Sequence, residues 1–156
     1  MIKESTIKYE EYSSFSELNS DLLKLIEEAY IICEKAYSPY SNFKVGSVLQ
    51  LSNNQLVYGN NQENSAYPSG ICAERVALFY AGANYSTEKV KTIVIVSKGD
   101  LIEADTVISP CGACRQVMIE TENRQSFSIR VILVARNEKV VIFNSVKDLL
   151  PFYFGK

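Results

Sequence analysis

Val90-Lys91-Thr92-Ile93-Val94-Ile95-Val96-Ser97 is strongly apolar and rich in β-branched residues, and it reads as a buried strand. Helical patterns flank it. One covers about Cys72–Ala83. Another starts behind Pro110, whose ring suits the beginning of a helix, and runs to about Thr121. Further out, strands at about Phe43–Leu51 and Gln55–Tyr58 meet at an Asn53-Asn54 turn and form a hairpin. Ile129–Ala135 and Lys139–Phe143 read as two more strands, followed by a short helix near Val146–Leu150.

Before the hairpin, a first helix is predicted from Ser20, taken as its N-cap, to about Ala36. Leu22, Ile26, Ala29, Cys33 and Ala36 form its buried stripe, and Tyr37-Ser38-Pro39-Tyr40-Ser41 ends it. Residues 2–12 mix Lys and Glu with Ile, Thr and Tyr and read as an extended or edge-strand arm. From the hairpin onward the order β-β-α-β-α-β-β-α predicts an α/β fold. Its form is a three-layer α/β/α sandwich around a mixed five-stranded sheet. No repeat or Pro/Gly/Ser-rich linker interrupts the pattern. Residues 21–156 therefore read as one domain and residues 1–20 as an N-terminal arm.

At 156 residues the chain can bury about 68–70% of its unfolded surface. Sixteen basic and eighteen acidic side chains give a net charge of −2 with no block of like charge. That balance argues against a nucleic-acid partner and for a small molecule. The N-terminal residues lack the apolar core of a signal peptide, and no apolar run approaches the ~20 residues of a membrane span. Four cysteines in such a chain are expected to be reduced thiols or metal ligands, with the cytoplasm as the compartment. Histidine is absent, which excludes imidazole catalysis and His-ligated metal.

Three of the cysteines carry the chemistry. Cys72 is followed two residues later by Glu74, and Pro110-Cys111-Gly112-Ala113-Cys114 lies further along. Cys111 and Cys114, at i and i+3, share a face of the first helical turn. Cys72 and Glu74, at i and i+2, point apart in a regular helix, so they converge only if Cys72 lies where the helix starts. The turn Ser69-Gly70-Ile71 permits that. Helix starts favour thiolates.

Three thiolates and one Zn²⁺ would sum to −1, and Arg75 is placed to offset that charge. A lone Cys-x-x-Cys also marks redox motifs and halves of structural zinc sites. A structural site would want a fourth protein ligand, but the spare Cys33 falls in the apolar stripe of the first helix. Three ligands leave a position open for water, the catalytic arrangement, with Glu74 as acid/base.

Four segments then carry a resemblance. They are Tyr37-Ser38-Pro39-Tyr40-Ser41-Asn42-Phe43-Lys44-Val45-Gly46; Asn61-Gln62-Glu63-Asn64 with Tyr67-Pro68-Ser69-Gly70-Ile71-Cys72-Ala73-Glu74-Arg75; Ser109 to Gln116; and Asp148-Leu149-Leu150-Pro151 with Phe154-Gly155. Together they resemble the cytidine deaminase family, in its small-subunit homotetrameric branch. The resemblance implies hydrolytic deamination of cytidine, and of 2′-deoxycytidine, in pyrimidine salvage. It implies one zinc per subunit on Cys72, Cys111 and Cys114, with Glu74 shuttling protons between water, ring N3 and the departing amine.

It further implies that Asn61 and Glu63 bind the ribose hydroxyls and that Phe43 packs on the pyrimidine. Tyr67 and Phe154 are implied to reach a neighbouring subunit's site, and Gln116 to join Arg75 in supporting the thiolates. Residues 1–20 lie outside the resemblance. A zinc deaminase of another cytosine nucleoside or antibiotic is the closest rival, and Asn61 and Glu63 argue against it. A nucleic-acid deaminase would need a basic groove. A non-enzymatic zinc module leaves Glu74 without a purpose.

Overall fold

A computed structural model describes residues 1–155 of the chain. One mixed sheet is built from β1 (Glu10–Tyr12), β2 (Lys44–Leu51), β3 (Leu56–Asn60), β4 (Val90–Lys98), β5 (Arg130–Val134) and β6 (Val140–Phe143), in the spatial order β1-β6-β5-β4-β2-β3. Only β4 and β5 pair in parallel, and the remaining neighbours are antiparallel. Three helices cover the sheet: α1 (Ser20–Cys33), α2 (Ala73–Asn84) and α3 (Gly112–Gln125).

The sheet has six strands where five were expected. The extra one comes from the arm, whose Glu10, Glu11 and Tyr12 pair with Ile142, Val141 and Val140. Three residues, two of them glutamates, carry no readable alternation. What holds them at the edge is the β6 ladder, with Arg130 at 3.9 Å from Glu10 and Lys139 at 3.2 Å from Glu11.

Boundaries shift for local reasons. Asn19, rather than Ser20, caps α1, its side chain accepting from the Leu22 N–H at 3.0 Å. The helix ends at Cys33 instead of Ala36 because Lys35 and Ala36 bond three residues back, to Ile32 and Cys33. α3 runs beyond Thr121 to Gln125, where Ser126 takes a left-handed conformation at φ 50°. The final helix is a single 3₁₀ turn, Val146–Asp148.

Strand alternation divides the interior into two cores. Val48, Val94, Val96, Ile132, Val134, Val140 and Ile142 face Leu22, Leu25, Ile26, Ala29 and Cys33 of α1. Leu49, Leu51, Val57, Ile93, Ile95, Val131 and Leu133 point the other way, against Ala77, Leu78 and Ala81 of α2 and Met118 and Ile119 of α3. The expected three-layer sandwich is present.

Two glycines set how closely the helices approach. A methyl group at Gly46 would lie 2.2 Å from the Ala29 carbonyl of α1, and one at Gly59 would lie 2.2 Å from the Ala73 carbonyl of α2. The register places Lys44 opposite Lys98 and Gly46 opposite Asn60, so β2 begins where β3 and β4 end. α2 and α3 follow β3 and β4 in the chain, and the candidate residues gather at this rim. Among the described residues no helix is long and apolar enough to cross a membrane.

Candidate metal centre and adjoining cleft

Cys72 is the N-cap of α2, with φ −75° and ψ 153°, and Cys111 is the N-cap of α3, with φ −65° and ψ 166°. Extended backbone at both positions turns the thiols out of the helical path. Neither side chain caps its own helix, so both sulfurs are free for another use. Cys114 sits in the first turn of α3 and is buried. The residues leading into α2 are held by paired backbone bonds between Gln62 and Ile71, at 3.0 and 2.9 Å.

The three sulfurs form a triangle, all within 4.8 Å of one another. Cys72 to Cys111 is 3.9 Å and Cys111 to Cys114 is 3.5 Å. Arg75 brings Nη2 to 3.7 Å from the Cys72 sulfur. A hydrogen bond from Cys114, with others from Arg75 and Cys111, holds the Cys72 thiol down to about 5. The same contact pushes Cys114 up, and its burial adds to this. A divalent cation among the sulfurs is what would let all three ionise together. Soft donors at tetrahedral spacing, with no fourth cysteine beside them, fit zinc with one position left over.

Glu74 lies in the first turn of α2 and is only 5% exposed. Burial pushes its carboxyl above the usual range, and the Cys72 thiolate adds to the rise. A hydrogen bond from the Cys114 thiol partly opposes the rise, and Glu74 stands two residues from Cys72 at the same helix start.

A cleft of about 650 Å³ opens alongside, lined by Tyr40, Ser41, Glu63, Tyr67, Cys72 and Arg75 among others. Asn61 grips the start of β2: its Oδ1 accepts from the Val45 N–H at 2.8 Å and its Nδ2 donates to the Phe43 carbonyl at 2.9 Å. One donor and one lone pair of the carboxamide remain. Phe43 is buried at the rim, with Gly99 against it; a methyl group on Gly99, whose φ is 113°, would sit 3.3 Å from the ring.

Gln116 is placed differently from expectation. Its carboxamide donates to the Phe154 carbonyl at 2.7 Å and accepts from the Phe154 N–H at 3.3 Å, and it makes no bond to a thiolate. At i+2 from Cys114 it faces away from that sulfur. Phe154, 89% exposed, lies in a separate groove with Phe79, Val117 and Arg124 that shares no lining residue with the cleft. Tyr67 is 91% exposed at the cleft mouth.

Arg115, to which the sequence reading assigned no role, braces the start of α3. It donates to the Pro110 carbonyl at 2.8 Å, to Ser109 Oγ at 2.7 Å and to the Leu149 carbonyl at 2.8 Å. Only the proximity of Arg115 to Cys114 in sequence could have signalled it.

Residues 19–130 match a family model described as the cytidine and deoxycytidylate deaminase zinc-binding region. The chain is 41% identical over 100 residues to a cytidine deaminase of Sporosarcina psychrophila, covering 64% of this chain and 69% of that protein. It is 34% identical over 136 residues to a probable cytidine deaminase of Dictyostelium discoideum, covering 87% and 85%. Among solved structures it is similar to cytidine deaminase from Burkholderia pseudomallei. There the identity is 40% and the TM-score 0.73, over 85% of this chain and 98% of that one.

Proposed function

The chain belongs to the cytidine and deoxycytidylate deaminase family, and from that premise we propose that it hydrolyses cytidine and 2′-deoxycytidine to uridine and 2′-deoxyuridine with release of ammonia. The observation that carries this reading is a buried Glu74 beside three converging thiols at two helix starts. Zinc is the cofactor, and Cys72, Cys111 and Cys114 would hold one ion. When bound, it supplies Lewis-acid activation of a water.

The remaining work falls to side chains. A carboxyl whose affinity for protons is raised by burial can take a proton near neutral pH and give it up again. Glu74 would deliver it first to ring N3, which makes C4 electrophilic, and later a proton to the departing amine. Phe43 packs on the pyrimidine in this reading. Glu63, on the cleft wall, and the spare donor of Asn61 bind the ribose hydroxyls. Arg75 offsets the negative charge of the thiolates.

Residues 21–156 serve as the catalytic domain and residues 1–20 as an arm. Assembly is as a homotetramer with sites shared through Tyr67 and Phe154. What supports this is the exposure of Tyr67, Phe79, Tyr80, Phe152 and Phe154, a large apolar display for a lone chain. Unpaired thiols suit the reducing cytoplasm. The test is direct: purified zinc-loaded protein should convert cytidine to uridine, with loss of cytosine absorbance and one ammonia per uridine. Absence of ammonia release from either nucleoside would reject the reading.

A further inference from the structure

One hydroxyl in the loop before β2 joins two parts of the proposed substrate site. Ser41 Oγ accepts from the Phe43 N–H at 3.0 Å and donates to Glu63 Oε1 in a short contact. The other oxygen, Glu63 Oε2, accepts from the N–H groups of Tyr40 at 2.8 Å and Ser41 at 3.3 Å. These bonds, the Ser41 hydroxyl first, hold the Glu63 carboxyl below its usual range.

A carboxylate offers about four lone-pair sites. Three are filled by this loop, so one direction on Oε1 is left to face a ligand. Which way it faces depends on the hydroxyl sharing that oxygen. The loop is shaped for the bridge: Asn42 takes a left-handed φ of 53°, and its N–H returns to the Ser38 carbonyl at 3.0 Å. Ser41 and Glu63 line the cleft together with Cys72, and Phe43 begins the chain's descent into β2.

We propose that Ser41 is a positioning residue for nucleoside recognition. Its hydroxyl ties the backbone of Phe43 to the carboxylate of Glu63, so that the surface under the base and the acceptor for the sugar keep a fixed relation. This rests on the reading that Glu63 takes a ribose hydroxyl and Phe43 packs on the pyrimidine. Ser41→Ala removes the third bond to Glu63, leaves its remaining lone pair unaimed and deprives the Phe43 N–H of its acceptor.

The experiment compares zinc-loaded wild type, Ser41→Ala, Ser41→Thr and Glu63→Gln. It measures KM and kcat for cytidine, competitive inhibition by uridine and by uracil, and zinc content. Ser41→Ala should raise the cytidine KM and the uridine inhibition constant by about tenfold, the scale of a lost bond to a charged group. Its kcat should stay within about threefold and its zinc content should be unchanged, uracil inhibition should weaken clearly less than uridine inhibition, and Ser41→Thr should restore the wild-type values.

If Glu63→Gln weakens uridine relative to uracil while Ser41→Ala leaves that ratio as in wild type, the positioning role is wrong and the sugar reading stands. Failure of Ser41→Thr to rescue would also overturn it. If Glu63→Gln leaves the ratio unchanged, the sugar reading fails, and the proposal with it.

Discussion

Cys33 and Cys72 lie on opposite faces of one sheet, and their surroundings separate a packing residue from a candidate metal ligand. Cys33 closes α1 at its C-terminal end, fully buried among Ala29, Val48, Val96 and their neighbours. Burial there pushes its thiol up to about 11. Cys72 opens α2, half-buried, within reach of Arg75 and two further sulfurs, and its thiol falls to about 5. The same residue type is kept neutral at the negative end of one helix and ionised at the positive end of another. Burial keeps the first thiol neutral, while hydrogen bonds from Cys114, Arg75 and Cys111 favour the thiolate at the second, and a helix start favours it in the same sense.

Exchanging the two cysteines for alanine should break the comparison most visibly. Cys72→Ala is expected to lose its zinc and its turnover together. Cys33→Ala should keep a full zinc complement and lose only about 1 kcal/mol of stability, roughly one buried group's worth. Metal analysis beside a urea titration reads both, and zinc loss from Cys33→Ala would undo the distinction.

The paired glycines sharpen it. Gly46→Ala and Gly59→Ala each force a helix outward from its face of the sheet, at a cost of about 1–3 kcal/mol. Only the second displaces the first turn of α2, where Cys72 and Glu74 sit. Zinc affinity should therefore fall at least tenfold in Gly59→Ala and hold within about twofold in Gly46→Ala. Competition with a chelator measures it, and equal losses would mean that the two faces are not independent.

A smaller effect concerns reactivity in protein stripped of metal. At pH 7 Cys72 lies above its titration point near 5 and is a thiolate, while Cys33 lies below its own near 11 and is a thiol. Because Cys33 is fully buried, the charge is read on Cys72 itself: its alkylation by iodoacetamide should be as fast at pH 7 as at about pH 9 and slow as the pH falls through about 5, as peptide mass analysis would show. A rate that rose about tenfold per pH unit between about pH 7 and pH 9 would remove the electrostatic half of the argument.

Much of this was legible in the chain. Long apolar strands announce themselves, because Val90–Lys98 and Arg130–Val134 bury both faces and need no partner to be recognised. The convergence of Cys72 with Glu74 followed from an i, i+2 spacing that only a helix start can resolve. The arm was legible as extended or edge-strand chain, but not that Glu10–Tyr12 joins the sheet, since those three residues owe their pairing to β6 and to ion pairs with distant lysine and arginine.

Asn61 and Gln116 were recognisable as residue types but not in what they grip. Asn61 holds backbone 16 and 18 residues away, and Gln116 holds Phe154 across 38. A side-chain amide pairs with any peptide group brought near it, and only the fold says which one that is.

The central claim is that Glu74 moves protons beside a three-cysteine zinc site. It is tested most directly by measuring zinc content and cytidine turnover together in Glu74→Gln. The amide preserves shape and burial but cannot carry a proton. The account predicts one zinc per chain, as in wild type, with turnover reduced by ~10²-fold or more. A variant that held its zinc and still deaminated cytidine within a few-fold of wild type would contradict it.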